Sequence, residues 1–145
     1  MKAETKFDEV YEQLNSIREN ELSFNEVDTV RFVKSQIQKI KGNLSEIENA
    51  SQNKRWEEML ANFLQLLEKI NVINIYLMQP TSLSMLMKEK ISGIIENLIA
   101  SISYSVAEAT LLIKENAKEI GIESINVSIS GTPATINVSL SMKKT

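Results

Sequence analysis

Residues 30–47, VRFVKSQIQKIKGNLSEI, carry the pattern that decides the fold of this chain. Their apolar side chains recur at alternating spacings of three and four residues: Val30, Val33, Ile37, Ile40, Leu44 and Ile47. This is a heptad seam, in which one apolar edge of a helix lies along a neighbouring helix. The stretch therefore predicts a long helix that packs lengthwise in a helical bundle.

Helical periodicity extends to both sides of this seam. Before it, an amphipathic helix is predicted by Phe7, Val10, Tyr11, Leu14 and Ile17. A Ser-x-x-Glu capping box at residues 23–26 then begins the seam helix. After the seam, a third helix is apolar over more than half its circumference, which is typical of a helix central in the core. Its main stripe is Trp56, Leu60, Phe63, Leu67 and Ile70, widened by Met59, Leu66, Ile73 and Leu77.

Local residues predict where these helices begin, end and approach one another. Gly42 interrupts the seam helix, and a close helix approach is one reason for a glycine there. The run NASQN, residues 49–53, is predicted to be a connector, with Ser51 or Asn53 as the next N-cap. Gln79-Pro80 ends the third helix, because proline lacks the amide hydrogen.

A fourth helical region is predicted from about Ser82 to Ile120. At about 1.5 Å per residue it would span nearly 60 Å, which is too long for a small bundle. A kink or break is therefore expected near SISYS, residues 101–105, where Ser105 to Glu108 offer a second capping box. Gly121 suits the left-handed position after the last helix.

The final segment changes from a helical period to an alternation of apolar and polar residues. One apolar row consists of Ile125, Val127 and Ile129, and a second of Ile136, Val138, Leu140 and Met142. Gly131 and Pro133 predict the turn between them. The predicted fold is mainly α, an antiparallel helical bundle of four or five helices with a C-terminal β-hairpin. The bundle would span residues 1–121, and the hairpin with a short basic tail residues 122–145.

Composition argues against an enzyme. The 145 residues include no cysteine and no histidine, which removes thiolate nucleophiles, imidazole bases and the commonest ligands of zinc. No glycine-rich phosphate loop is present. We therefore expect no catalytic residue, no metal and no cofactor. The charged N-terminus lacks a signal sequence and no apolar run reaches about 20 residues, which predicts a cytoplasmic protein without a membrane span.

One charge pattern offers a candidate partner surface on the seam helix. Every charge between Thr29 and Ser45 is positive, and a single stripe beside the seam contains Arg31, Lys34, Gln38 and Lys41. Such a stripe could meet phosphates or an acidic protein surface. The alternative is a solvated flank whose lysine stems cover the edge of the seam. A net charge of −3 and the lack of interleaved aromatics make a nucleic-acid partner the weaker interpretation.

The hairpin offers the second candidate surface. No charged residue occurs from Ser124 to Met142, although edge strands usually carry lysine, proline or a bulge that prevents foreign pairing. Its apolar face could simply cover the open side of the bundle. We also predict that the ribbon pairs with a partner protein or with its own copy by strand addition, and that Asn126 and Asn137 point outward.

A compact run of helices from Phe7 to Ile120 and a distinct C-terminal tail, in a small chain without cysteine, resemble a known group of proteins. They resemble the small helical-bundle proteins of crenarchaeal viruses, in particular an RNA polymerase inhibitor of a two-tailed virus and its virion paralogue. The resemblance implies a non-enzymatic protein that occupies the DNA-binding channel of archaeal RNA polymerase and represses transcription in the host cytoplasm. No diagnostic motif supports it, so it assigns no functional residue.

Three functions therefore compete. The first is an interaction protein that inhibits or regulates a larger machine, for which the resemblance implies RNA polymerase. The second is a structural or self-assembling protein of the virion type, and homo-oligomers would fit it. The third is nucleic-acid binding through the basic stripe, which requires an affinity that falls with salt.

Overall fold

The helical bundle and the C-terminal hairpin are both present in the computed structural model. It describes residues 1–80, 82, 85, 87–130 and 135–143, and only the backbone of residues 129, 130 and 135. The order of the elements is α1 (Lys2–Asn15), α2 (Phe24–Gln52), α3 (Trp56–Leu77), α4 (Glu89–Glu115), α5 (Ala117–Ile120), β1 (Ile122–Ser130) and β2 (Thr135–Met142). The predicted mainly α architecture is confirmed.

Contacts between the helices run in opposite directions along each neighbouring pair. Asp8 of α1 meets Lys41 of α2, while Tyr11 lies under Lys34, so α1 and α2 are antiparallel. The same reversal relates α2 to α3, in which Phe32 stacks on Tyr76 at 4.2 Å between ring centroids. It also relates α1 to α4. The four long helices therefore form an up-down-up-down bundle.

The core is built on the predicted seam. All six seam residues of α2 are buried, and four of them, Ile37, Ile40, Leu44 and Ile47, have 0% of their surface exposed. On α3 the fully buried stripe is Met59, Phe63, Leu66, Ile70, Ile73 and Leu77. Trp56, Leu60 and Leu67, predicted as part of the main stripe, are only half-buried at its flank. The buried face of α3 thus combines Phe63 and Ile70 of the predicted main stripe with all four residues that were predicted to widen it.

The capping box that begins α2 is confirmed and also ties two distant segments together. The Glu26 carboxylate accepts a hydrogen bond from the Ser23 amide at 2.9 Å, and the Ser23 hydroxyl accepts one from the Glu26 amide. Lys88, the residue before α4, lies 3.0 Å from the same carboxylate. The Ser23 amide and then Lys88 hold the pKa of Glu26 below its usual 4.5.

Two predictions about the end of α2 are wrong. The helix continues through Gln52, so the NASQN run is helical and the connector is Asn53 to Arg55, with Lys54 in the left-handed region at φ 57°. Arg55 occupies the N-cap position of α3 without a side-chain cap, so neither Ser51 nor Asn53 fills it. Gly42 faces open space, because a Cβ there would meet nothing within 4 Å. Close helix approach therefore does not account for it.

The predicted break near SISYS is also wrong. Helix α4 runs through it from Glu89 to Glu115, and Ser105 is buried with its hydroxyl donating to the Ile102 carbonyl instead of capping a helix. The break falls at Asn116, where the short α5 begins. Met78 caps the end of α3 ahead of Pro80, as predicted. Around the predicted start of the fourth helical region, residues 81, 83 and 84 lie outside the described part of the chain. No helix within the described ranges is long and apolar enough to cross a membrane.

The hairpin begins directly after the helices. Gly121 takes φ 84° and donates its amide to Ala117, so the predicted helix end is confirmed. The strands pair antiparallel, with Ile125 opposite Leu140 and Val127 opposite Val138. β1 packs on α4 and α5, and β2 on α3. The predicted turn, residues 131–134, lies outside the described residues.

Candidate interaction surface

The six predicted partner-binding residues lie on two separate surfaces. Arg31, Lys34, Gln38 and Lys41 lie on α2, three of them in contact with α1 or with the turn that follows it. Asn126 and Asn137 lie on the hairpin, which packs against α3, α4 and α5. The structure therefore does not bring the basic stripe and the ribbon together into one site.

Within the basic stripe, Arg31 is bound to a carboxylate of its own chain. Its guanidinium donates two hydrogen bonds to Glu19, at 3.0 and 2.9 Å. Glu19 lies in a short 3-10 turn between α1 and α2, at Glu19–Glu21. The arginine lowers the pKa of Glu19, and Glu19 raises the pKa of Arg31, because each charge favours the other. This planar pair occupies the face that a phosphate would need.

The two lysines of the stripe also point at α1. The Lys34 ammonium lies 5.4 Å from the centre of the Tyr11 ring, and the Lys41 ammonium is paired with Asp8. Gln38 is exposed. The stripe thus forms much of the charged seam between α1 and α2, in line with the interpretation in which lysine stems cover the edge of the apolar seam.

The outward face of the hairpin carries short polar side chains without charge. Asn126 is opposite Ser139, Ser128 is opposite Asn137, and Ser124 is opposite Ser141. All six are exposed, as predicted from the alternation for the two asparagines. The opposite face holds Ile125 and Ile136, which are buried against the bundle, and the half-buried Val127, Val138 and Leu140. The hairpin is therefore attached by one face, and the uncharged face meets solvent.

The two edges of this two-stranded sheet differ in their protection. On β1 the register slips between Ile122 and Ser124, so a β-bulge lies at Glu123. Lys114 of α4 lines two grooves beside β1, one with Val127 and the other with Glu123 and its neighbours. A bulge and a lysine are the devices that discourage foreign pairing at an edge. β1 therefore has the guard that the sequence alone did not reveal.

β2 carries no such guard. Its eight residues, TINVSLSM, include no charge and no proline, and they pair with β1 without a register slip from Thr135 to Leu140. Beyond Met142 the Lys143 amide donates to Gly121 at 2.8 Å, which holds the end of β2 against β1. A regular strand of this length leaves one row of backbone amides and carbonyls unused by the hairpin.

Sequence reasoning missed an exposed apolar face on α3. Leu64, Val72 and Ile75 of α3 are 56%, 38% and 60% exposed. At about 100° per residue they fall within roughly 80° of arc on the helix surface. The signal was present in the sequence, because the apolar residues of α3 cover a wider arc of the helix than the core buries.

Among the described residues, no group of three or more carboxylate, histidine or cysteine side chains is placed to hold a metal ion. An apolar groove lies between α4 and β1 and is lined by Ala107, Thr110, Leu111, Lys114 and Val127.

Comparison with protein-family models, curated proteins and solved structures finds no match to this chain. Function is therefore inferred from the surfaces of the molecule itself.

Proposed function

We propose that this chain is a non-enzymatic interaction protein that offers the free edge of β2 to a protein partner. The observation that supports this most directly is the contrast between the two hairpin edges. β1 has a bulge and a neighbouring lysine, whereas β2 has eight uncharged residues and no proline. An unguarded edge of this kind is the usual acceptor for strand addition, in which backbone hydrogen bonds supply much of the affinity.

The charged residues of the bundle support the same assignment. Arg31 and Lys41, two of the sequence candidates for a partner surface, are bound to Glu19 and Asp8. A partner that bound Arg31 or Lys41 would first have to displace Glu19 or Asp8. The cost of breaking these ion pairs would offset the electrostatic gain of binding. A partner that bound the uncharged hairpin would not have to break an ion pair of this chain.

The finer form of the proposal is inhibition of archaeal RNA polymerase by occupation of its DNA-binding channel. It rests on the resemblance to viral helical-bundle proteins and on a net charge of −3, since an acidic protein suits a channel shaped for DNA. It is tested with purified archaeal polymerase in promoter-dependent transcription. Inhibition that excess template DNA relieves is expected, and full transcription in the presence of excess protein would refute this form.

Two matched substitutions locate the surface. Asn137→Lys places a charge on β2, and Asn126→Lys places the same charge on β1, on the same exposed face. If β2 is the docking edge, Asn137→Lys weakens polymerase binding and Asn126→Lys does not. Equal loss in both, with unchanged circular dichroism, would assign the contact to the outer face instead of the edge.

The structural alternative, a self-assembling protein, no longer has the heptad seam in its favour, because α2 uses that seam inside its own bundle. Nucleic-acid binding has the least support, since the basic stripe lies against α1. Filter binding at low salt tests it, and measurable affinity that falls with salt would restore it.

A further inference from the structure

We infer that the free edge of β2 pairs antiparallel with the same edge of a second copy of this chain. The inference rests on the proposed function and names the partner at that edge. The resulting sheet would have four strands in the order β1-β2-β2-β1, with a two-fold axis at Ser139, next to the midpoint of β2, because opposite residues must point to the same face of the sheet.

Symmetry makes this edge complementary to itself. An antiparallel pair of identical strands presents the same alternation of donors and acceptors from both sides, so no second sequence is required. In such a sheet β2 is a central strand and has no open edge. The pairing therefore removes the risk that the unpaired edge of β2 aggregates with other strands.

The charge distribution favours a copy over a foreign protein. Two identical chains of net charge −3 repel each other over most of their surfaces, and the repulsion is least where charge is absent. The hairpin is the longest uncharged segment, from Ser124 to Met142. An uncharged contact suits a partner whose net charge has the same sign, and a second copy of this chain is such a partner.

A second observation lies on the helix beneath β2. Because both hairpins cover their bundles with the same face, a two-fold axis through the sheet places both bundles on one side and brings each α3 toward its copy. α3 is the helix on which β2 packs, and it carries the exposed Leu64, Val72 and Ile75. Glu68 is exposed within the same arc and would lie near its copy, so this helix face adds only the apolar area of Leu64, Val72 and Ile75, and the strand edge carries the pairing.

The test uses the absence of cysteine from the chain. Ser139→Cys introduces a single thiol on β2 near the expected axis, and Ser128→Cys introduces a matched thiol on the same face of β1. Cross-strand neighbours in a sheet lie about 4.5–5.5 Å apart at Cβ, which a disulfide can bridge. Under mild oxidation we expect Ser139→Cys to give a covalent dimer and Ser128→Cys to remain monomeric.

Sedimentation equilibrium of the cysteine-free chain supplies the second measurement. A concentration-dependent dimer is expected, and Ile75→Asp, at an exposed position, should weaken it about tenfold without altering the circular dichroism. Monomer at every concentration, or equal crosslinking of the two cysteine variants, would overturn the inference. If Ser139→Cys fails to crosslink but Asn137→Lys still weakens binding to the polymerase, the proposed function stands and only the copy is excluded.

Discussion

The helical body and the C-terminal hairpin handle their polar groups in opposite ways. In the body, charges are matched across elements, as Lys41 is to Asp8 and Lys88 to Glu26. On the hairpin, the outward row of serines and asparagines takes part in none of the side-chain hydrogen bonds found among the described residues. The body thus pairs several of its polar groups internally, whereas the outward polar side chains of the hairpin face solvent.

The body and the hairpin also differ in how completely their apolar side chains are buried. The body is anchored by side chains with no exposed surface, among them Phe7, Phe63 and Leu98. The hairpin is anchored by Ile122, Ile125 and Ile136, which are 2%, 7% and 5% exposed, together with half-buried valines and leucine. A weaker attachment fits the proposal that the hairpin makes a second contact outside the chain.

The largest expected effect sharpens this contrast between deep and shallow burial. Phe63→Ala should lower the free energy of unfolding by about 3–5 kcal/mol, because it opens a cavity in a packed core. Val138→Ala, on the half-buried face of β2, should cost about 1 kcal/mol. Urea unfolding followed by circular dichroism measures both. Equal losses would mean that the hairpin is as firmly anchored as the body.

The second effect concerns a polar cluster between α2 and α3. Asn43 is buried, donates to Asn62 at 2.9 Å and to Gln65 at 3.0 Å, and accepts a hydrogen bond from Lys69. Asn43→Ala should destabilise the chain by about 1–3 kcal/mol, because its partners lose hydrogen bonds at a buried position.

Ser139→Ala, at an exposed polar position of the hairpin, is the control for this measurement. It should leave the urea midpoint unchanged under conditions where the chain is monomeric. A larger loss for Ser139→Ala than for Asn43→Ala would contradict the view that polar groups of the body are the structural ones.

A smaller effect depends on pH. Glu26→Gln keeps an acceptor for the Ser23 amide but loses the charge opposite Lys88, and should cost about 1 kcal/mol at pH 7 because Lys88 is half exposed. The pKa of Glu26 is lowered in the fold, so its contribution is complete above its unfolded value, near 4.5, and is lost as pH falls through the lower folded value.

The difference between wild type and Glu26→Gln should therefore shrink below about pH 4.5. Thermal unfolding at several pH values measures it, with Glu96→Gln, at an exposed position of α4, as the control. A difference that persists unchanged into acid would show that the ion pair is not its source.

The smallest effect is expected at the most exposed charge pair. Arg31→Ala removes both hydrogen bonds to Glu19, yet both side chains are largely exposed, so the urea midpoint should not change measurably. Lys39→Ala, an exposed cation outside the stripe, gives the baseline. A clear loss in Arg31→Ala alone would reveal that this pair holds the turn at Glu19–Glu21 in place.

Prediction from sequence succeeded where the signal is local. The heptad seam from Val30 to Ile47, the Ser23 capping box and the glycine at 121 each depend on residues within one or two turns, and all three are confirmed. It failed at Ser105, where a capping pattern lies in the middle of a buried helix. There the packing of Ile102 and Val106 against the core outweighs the local preference of the serine.

Prediction of the two candidate surfaces from sequence also succeeded for the local feature and failed for the long-range one. Alternation placed Asn126 and Asn137 on the exposed face of the hairpin correctly, because side chains alternate along any strand. It could not show that Arg31 and Lys41 meet acidic groups of their own chain, since Glu19 and Asp8 lie 12 and 33 residues away.

Local periodicity specifies the helices, their apolar seams and the terminal uncharged ribbon, because each arises from a short-range period of 3.6 or two residues. Packing in three dimensions sets which charges neutralise one another and which edge of the ribbon stays open. Those properties depend on how segments far apart in the chain pack together, as when Lys114 and the bulge at Glu123 guard β1 and leave β2 free.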